Sequence, residues 1–254
     1  MESNEYLFIQ IGFALLTLVC IVLFLAGLKK SIQQSDYSEK KKKHIWLISV
    51  TGISIWLLLV STLSLSGFTQ DFSLPPRLPL VILPPLLLAL FLIFSGKTDR
   101  LLLATPQSWL IGFQSFRFFV EILLWALFAI NLLPIQMTLE GYNWDIVTGI
   151  SAPLVVLLFK KFKWPLWILV IWNIAGLILL INIVTIAILS FPFPFRVFMN
   201  EPANKIVAYF PIIFLPSVLV PFAYYMHFFS LRKLYLKSAK VSPFSNPDPS
   251  DLSH

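Results

Sequence analysis

The chain has 254 residues, 58% of them hydrophobic and only 12% charged, with 24 Phe, 8 Trp and a mean hydropathy of +0.84. That charged share is about half of what a soluble domain carries, so lipid is the expected solvent and a water-soluble globular fold is excluded. The net charge of +7 does not imply nucleic acid, because the basic residues gather at the ends of apolar runs and form no extended basic, aromatic-bearing surface.

The first apolar segment, about 6–28, follows MESNEY and stops at Lys29-Lys30. Glu2 and Glu5 stand where a secretory leader carries basic residues, so this segment reads as a retained span. Cys20 within it is the single cysteine, which leaves no internal disulfide and no cysteine-built metal or iron–sulfur centre. Six further apolar segments follow, at about 45–68, 78–95, 109–134, 146–159, 165–190 and 206–229. About 20 apolar residues are needed to cross a bilayer. The third segment carries Pro84-Pro85 and the fifth is short and holds Pro153, so a tilted or re-entrant path is open for both.

Seven spans place fifteen of the nineteen Lys and Arg residues on one side and three on the other, with Arg117 inside the fourth span. This asymmetry predicts an all-α, polytopic seven-helix bundle over 1–237, with the amino terminus outside and the carboxyl terminus in the cytoplasm. Residues 238–254, rich in Ser and Pro, are expected to form a disordered cytoplasmic tail. The Lys40–Lys43 run faces the same side and is read as an anchor to anionic headgroups, which makes membrane lipids the first expected partner.

The chemistry-bearing residues begin in the fourth segment. Gln114, Arg117, Glu121 and Asn131 fall on one arc of a helix. Arg117 lies about 12 Å from the inner end at 1.5 Å per residue. An ionised side chain there costs about 2.5–3.5 kcal/mol to insert, so the i,i+4 spacing of Arg117 and Glu121 predicts a pair turned to the bundle interior. Two readings stand side by side: a neutralised pair that locks helix packing, and a polar site or proton or ion relay. In the sixth segment Asn173 sits at a depth similar to Arg117, and either joins that site or bonds a neighbouring helix. Asn182 lies on the opposite face. In the seventh segment Pro211, Pro216 and Pro221 break the helix and suggest a cavity wall. His227, beside Arg232-Lys233, reads first as an interfacial histidine and second as an inner-end ligand or proton shuttle.

The outer loops carry a second polar group, with Glu140, Asn143 and Asp145 in 135–145 and Arg196, Asn200, Glu201 and Asn204 in 191–205. Oxygen ligands alone would suit a hard cation, while the Gly, Pro and Asn content favours plain turn and cap roles. No P-loop, HExxH or GxSxG motif is present, the seventh segment has no Lys for a retinal Schiff base, and the three His do not offer paired haem ligands. No metal site or cofactor is therefore assigned from the motifs.

The stretches QSFRFFVE (114–121), MTLEGYNWDIVTGISAP (137–153) and 190–234 resemble a group of bacterial multipass membrane proteins of Bacteroidetes type. The likeness spans roughly 106–234. It implies a bacterial inner-membrane protein and transfers no catalytic residue. Three functions follow as expectations. The first is small-molecule or ion binding or transport at Gln114, Arg117, Glu121 and Asn173. The second is a membrane-embedded enzyme acting on a lipid or quinone, with Glu140, Asp145 and Glu201 as bases or metal ligands. The third is a non-catalytic subunit or sensor.

Overall fold

The computed structural model describes residues 4–162 and 164–241; most of the expected disordered tail, from residue 242 on, lies outside the described residues. The described residues are helical and contain no strand. The α-helices are α1 (Asn4–Gln33), α2 (Glu39–Leu65), α3 (Pro79–Phe94), α4 (Asp99–Ala104), α5 (Gln107–Gly112), α6 (Phe116–Ala129), α7 (Ile146–Phe162), α8 (Leu166–Leu189) and α9 (Val220–Val241). A single 3₁₀ turn, Phe113–Ser115, joins α5 to α6, and the two run as one element over Gln107–Ala129. Among the described residues four helices are long and apolar enough to cross a membrane: α1, α2, Gln107–Ala129 and α8. Pro79–Phe94 is apolar but shorter.

Burial explains the arrangement. On α2 only Val60 and Ser64 are buried, while Leu47, Ile55, Leu58 and Leu65 stand exposed. An apolar face with no protein over it is the pattern expected where hydrocarbon is the solvent. By contrast α9 packs against α3, α4, α5 and α8, and buries Phe222, Ala223, Met226, His227 and Ser230. It is the central element, and its polar side chains must find partners inside the protein.

Several boundaries differ from the sequence expectation, since α1 runs on to Gln33 and α2 already begins at Glu39, and two further differences have a clear local reason. The fourth segment ends at Ala129, not 134. Asn131 adopts φ 59°, Leu132 N–H donates to Leu127 O (2.9 Å) and Asn131 N–H to Phe128 O (2.9 Å). This is a left-handed helix cap of the Schellman type, a role Asn tolerates. Asn131 is therefore an exposed terminator and not part of the polar face. The seventh segment opens with a 3₁₀ turn at Ile206–Ala208, becomes continuously helical from the π-turn Leu215–Leu219, and then runs on to Val241. Pro221 has no N–H to offer the carbonyl four residues back, and Trp56 Nε1–H on α2 satisfies that Ser217 O instead, at 3.0 Å.

The end of the bundle that holds α4 is clasped by basic residues of α9. Arg232 forms a bidentate pair with Asp99 (2.9 and 2.7 Å). Lys233 Nζ donates to the carbonyls of Leu102 (2.9 Å), Leu103 (3.0 Å) and Thr105, capping the carboxyl end of α4.

Candidate functional site

Arg117 is 2% exposed and Glu121 3% exposed, both on the inward face of α6. They do not pair with each other. Arg117 Nε donates to Asp145 Oδ2 at 2.6 Å and Nη2 donates to Asp145 Oδ1, a bidentate ion pair. Nη2 also donates to Gly176 O of α8 at 3.2 Å. The expected Arg117–Glu121 pair is thus replaced by one with a loop residue just before α7. Intrahelical spacing permitted the first, but a planar guanidinium gains more from a carboxylate facing it edge-on.

The third nitrogen of Arg117 extends the network to α9. Nη1 lies 2.8 Å from His227 Nε2, and His227 Nδ1 lies 3.0 Å from Asn173 Oδ1. Hydrogen-bond direction fixes every proton here. Asn173 Nδ2 donates to Leu169 O at 2.7 Å, so its Oδ1 faces the histidine. That oxygen only accepts, so His227 carries its proton on Nδ1. Its Nε2 lone pair then receives Arg117 Nη1–H. His227 is a neutral imidazole, fully buried between α6 and α8, and the expectation of an interfacial histidine is corrected. Gly176 makes this possible. A Cβ at that position would run into the His227 ring, and the bare backbone also leaves Gly176 O open to Arg117.

Glu121 has a different task. Its Oε1 accepts Leu139 N–H at 2.7 Å and its Oε2 accepts Asn143 Nδ2–H. Asn143 Nδ2 also donates to Met137 O (3.0 Å), and its Oδ1 accepts Asp145 N–H (3.1 Å). The loop 135–145 is folded tightly enough that a Cβ on Gly141 would strike the Ile135 carbonyl. Its Gln136, Met137, Thr138, Asn143 and Asp145 side chains are buried, while Leu139, Glu140, Tyr142 and Trp144 stay exposed. No basic side chain among the described residues forms an ion pair with Glu121.

The structure therefore divides the residues singled out in the sequence. Arg117, Glu121, Asn143, Asp145, Asn173 and His227 form one buried group. Gln114, also buried, donates Nε2–H to Ala223 O of α9 (3.0 Å) and joins α6 to α9 without touching the charged pair. Asn182 Nδ2 donates to Tyr142 O of the loop 135–145 at 2.8 Å. The remaining outer residues are elsewhere. Glu140 is exposed and accepts Trp125 Nε1–H (2.8 Å). Asn200 and Glu201 are exposed and engaged by Arg196, whose Nη1 lies 2.9 Å from Glu201 Oε1. With Ala203 N–H also donating to it, the Glu201 carboxyl is held below its ordinary value. The three outer carboxylates Glu140, Asp145 and Glu201 do not converge, and no group of three or more His, Cys, Asp or Glu suited to a metal occurs among the described residues.

A cavity of about 100 Å³ opens beside this group. Its polar wall is Arg117, Glu121, Asn143, Asp145 and Asn204, and its apolar wall includes Leu180 and Val184 of α8 and Leu215 of the π-turn. Asn204, which the sequence placed among the outer-loop polar residues, is fully buried; its Nδ2 donates to Ala187 O at 3.2 Å, and its Oδ1 has no hydrogen-bond partner among the described residues. Gln136 Nε2 bonds Ser190 Oγ (3.0 Å) on the same side of the charged pair.

Fold and site together define an all-helical protein with several membrane-length apolar helices around a buried ion pair. Residues 75–235 match the model described as "Domain of unknown function (DUF8737)", and the chain belongs to that family. The matched stretch begins before α3 and contains every residue of the buried group. No curated protein and no solved structure matches the chain.

Proposed function

We propose that this chain is a multipass bacterial inner-membrane protein that admits a small polar ligand or ion into the chamber beside Arg117 and Glu121. Seven spans, an outside amino terminus and a cytoplasmic carboxyl terminus accompany this reading, supported by the charge asymmetry of the loops. The observation that carries it is the cavity itself: a space of about 100 Å³ lined mostly by apolar side chains, with Arg117, Glu121, Asn143, Asp145 and Asn204 among its lining residues. Buried ionic groups are often no better for folding than apolar ones of the same volume, so folding stability alone is a weak account of these groups. Arg117 has its charge spent on Asp145, so it orients the wall and does not wait for an anion. Glu121 is an ionisable group of the cavity lining with no cationic partner among the described residues.

The test is access. In a Cys20→Ser background, Val184→Cys places one thiol in the chamber wall. A small, charged, membrane-impermeant thiol reagent is expected to label it in intact membranes from one side, and Ile55→Cys on the lipid-facing side of α2 is expected to remain unlabelled. Equal, negligible labelling at both positions would remove the chamber as a binding site.

A further inference from the structure

We propose that the groove between α1 and the α5–α6 element holds one acyl chain of an anionic phospholipid, with the lipid phosphate at Lys30. The site is separate from the chamber: no lining residue is shared, and Arg117, Val120, Glu121 and Leu124 turn to the chamber from another face of α6. It rests on the reading of α1 and Gln107–Ala129 as membrane spans and not on any ligand of the chamber.

The first argument is shape. A Cβ on Gly12 would strike Leu123 and one on Gly27 would strike the Trp109 ring, so α1 closes on α6 and on α5 at these two points. They lie about 22 Å apart along the helix. Between them a groove of about 470 Å³ stays open beside the 3₁₀ turn Phe113–Ser115. Ring contacts with Trp109 (5.4 Å), Phe116 (5.6 Å) and Phe222 (5.8 Å) hold Phe113 in its floor. Leu15, Val19 and Leu23 of α1 and Phe119 and Ile122 of α6 line it and stand exposed, which turns its mouth to lipid. From Gly12 to Leu23 the groove follows α1 for about 16 Å, close to the depth of about 15 Å that one leaflet of hydrocarbon has. Over that length its cross-section is about 30 Å², room for a single hydrocarbon chain and too narrow for a helix about 10–12 Å across.

The second argument is charge. Lys30 follows Leu23 by about two turns on the same face of α1, about 10 Å further along the helix. It is exposed and forms no ion pair among the described residues. Its neighbour Lys29 points off this face and sits over the Trp46 ring of α2 at 5.6 Å. The headgroup layer takes up about 5–7 Å on each side of a bilayer, so a phosphate at Lys30 brings the chain beneath it into the groove at Leu23. An anionic headgroup gains the attraction of that lysine, whereas a zwitterionic one sets its own ammonium against it.

The test uses the full chain in phosphatidylcholine nanodiscs doped with a phosphatidylglycerol or a phosphatidylcholine probe that carries a photoactivatable diazirine on one acyl chain. Tandem mass spectrometry maps the adducts. They are expected to gather on 12–23 and 112–123. The phosphatidylglycerol probe is expected to outdo the phosphatidylcholine probe about fivefold, the factor that corresponds to about 1 kcal/mol for one lysine at an anionic lipid surface. Lys30→Gln is expected to abolish that preference and to leave the adducts in place. Val19→Trp, at the exposed mouth, is expected to cut the groove adducts at least about tenfold by filling the gap. Lys40→Gln, in the basic run of α2, is expected to keep both. Wild-type adducts spread evenly over lipid-facing positions such as Ile55 and Ile178 overturn the proposal whether or not the variants fold, as do equal yields from the two headgroups. A disulfide between copies formed by Val19→Cys in the Cys20→Ser background assigns the groove to a second copy and overturns it equally. Labelling of Val184→Cys reads the chamber separately, so the failure of either site leaves the other standing.

Discussion

Asp145→Asn is the perturbation that probes the centre of the network most sharply. It keeps the shape of the side chain and removes its charge. Arg117, 2% exposed, would retain His227 Nε2 and Gly176 O, both neutral acceptors, and would lose the one carboxylate it pairs with among the described residues. The two charge-assisted bonds to Asp145 contribute about 1.5–3 kcal/mol each. The substituted side chain would still offer one amide oxygen, so the loss falls within the range of about 3–5 kcal/mol seen when one partner of a buried pair is removed. Against a total stability of about 5–15 kcal/mol this is a large fraction, and it should appear as a much lower unfolding midpoint in denaturant titrations in mixed micelles. The double variant Arg117→Met with Asp145→Leu removes both charges and is expected to recover most of the loss. A single variant within about 0.5 kcal/mol of wild type, or a double variant no better than the single one, would refute the assignment of Arg117 to Asp145.

Three further outcomes are expected. Gly176→Ala drives a methyl into the His227 ring and should cost about 1–3 kcal/mol by overpacking, with the indole of Trp172, 5.5 Å from that ring, reporting the displacement in its fluorescence. Trp56→Phe leaves Ser217 O without its donor, and a loss of about 1–3 kcal/mol is expected, together with faster amide exchange through Leu215–Leu219. The Glu201 carboxyl, held below its ordinary 4.5, should stabilise the loop 191–205 above that pH and release it as the pH falls through its lowered value. Amide exchange at Ala203 between pH 7 and pH 3 measures this, and protection that is unchanged on acidification would count against the Arg196–Glu201 link.

The polar face of the fourth segment was legible because it is a local pattern. Gln114, Arg117 and Glu121 repeat at helical spacing, and the cost of burying them dictates that they turn inward. What they meet could not be read the same way. Asp145 is 28 residues from Arg117 and His227 is 110 residues from it, and no helical periodicity encodes a contact between segments. Placing 135–145 as an outer loop hid the partner, since a loop that dips inward has the same composition as one that caps a bundle. A fainter signal was present. His227, Ser230 and Lys233 recur every three residues, as do Asn173 and Gly176, which marks two inward faces that must meet something polar. The early end of the fourth segment at Asn131 was hidden by the apolar residues that follow, because Leu132 and Leu133 continue the hydrophobic run beyond the cap.

The most direct measurement is the ¹⁵N spectrum of histidine-labelled protein in bilayers, with His227→Gln identifying the resonance. The hydrogen bonds predict a neutral ring protonated at Nδ1, with Nε2 as an acceptor showing through-space transfer from the Arg117 side chain. An imidazolium, a ring protonated at Nε2, or the absence of any transfer from Arg117 would contradict the buried chain that runs from Asp145 to Asn173.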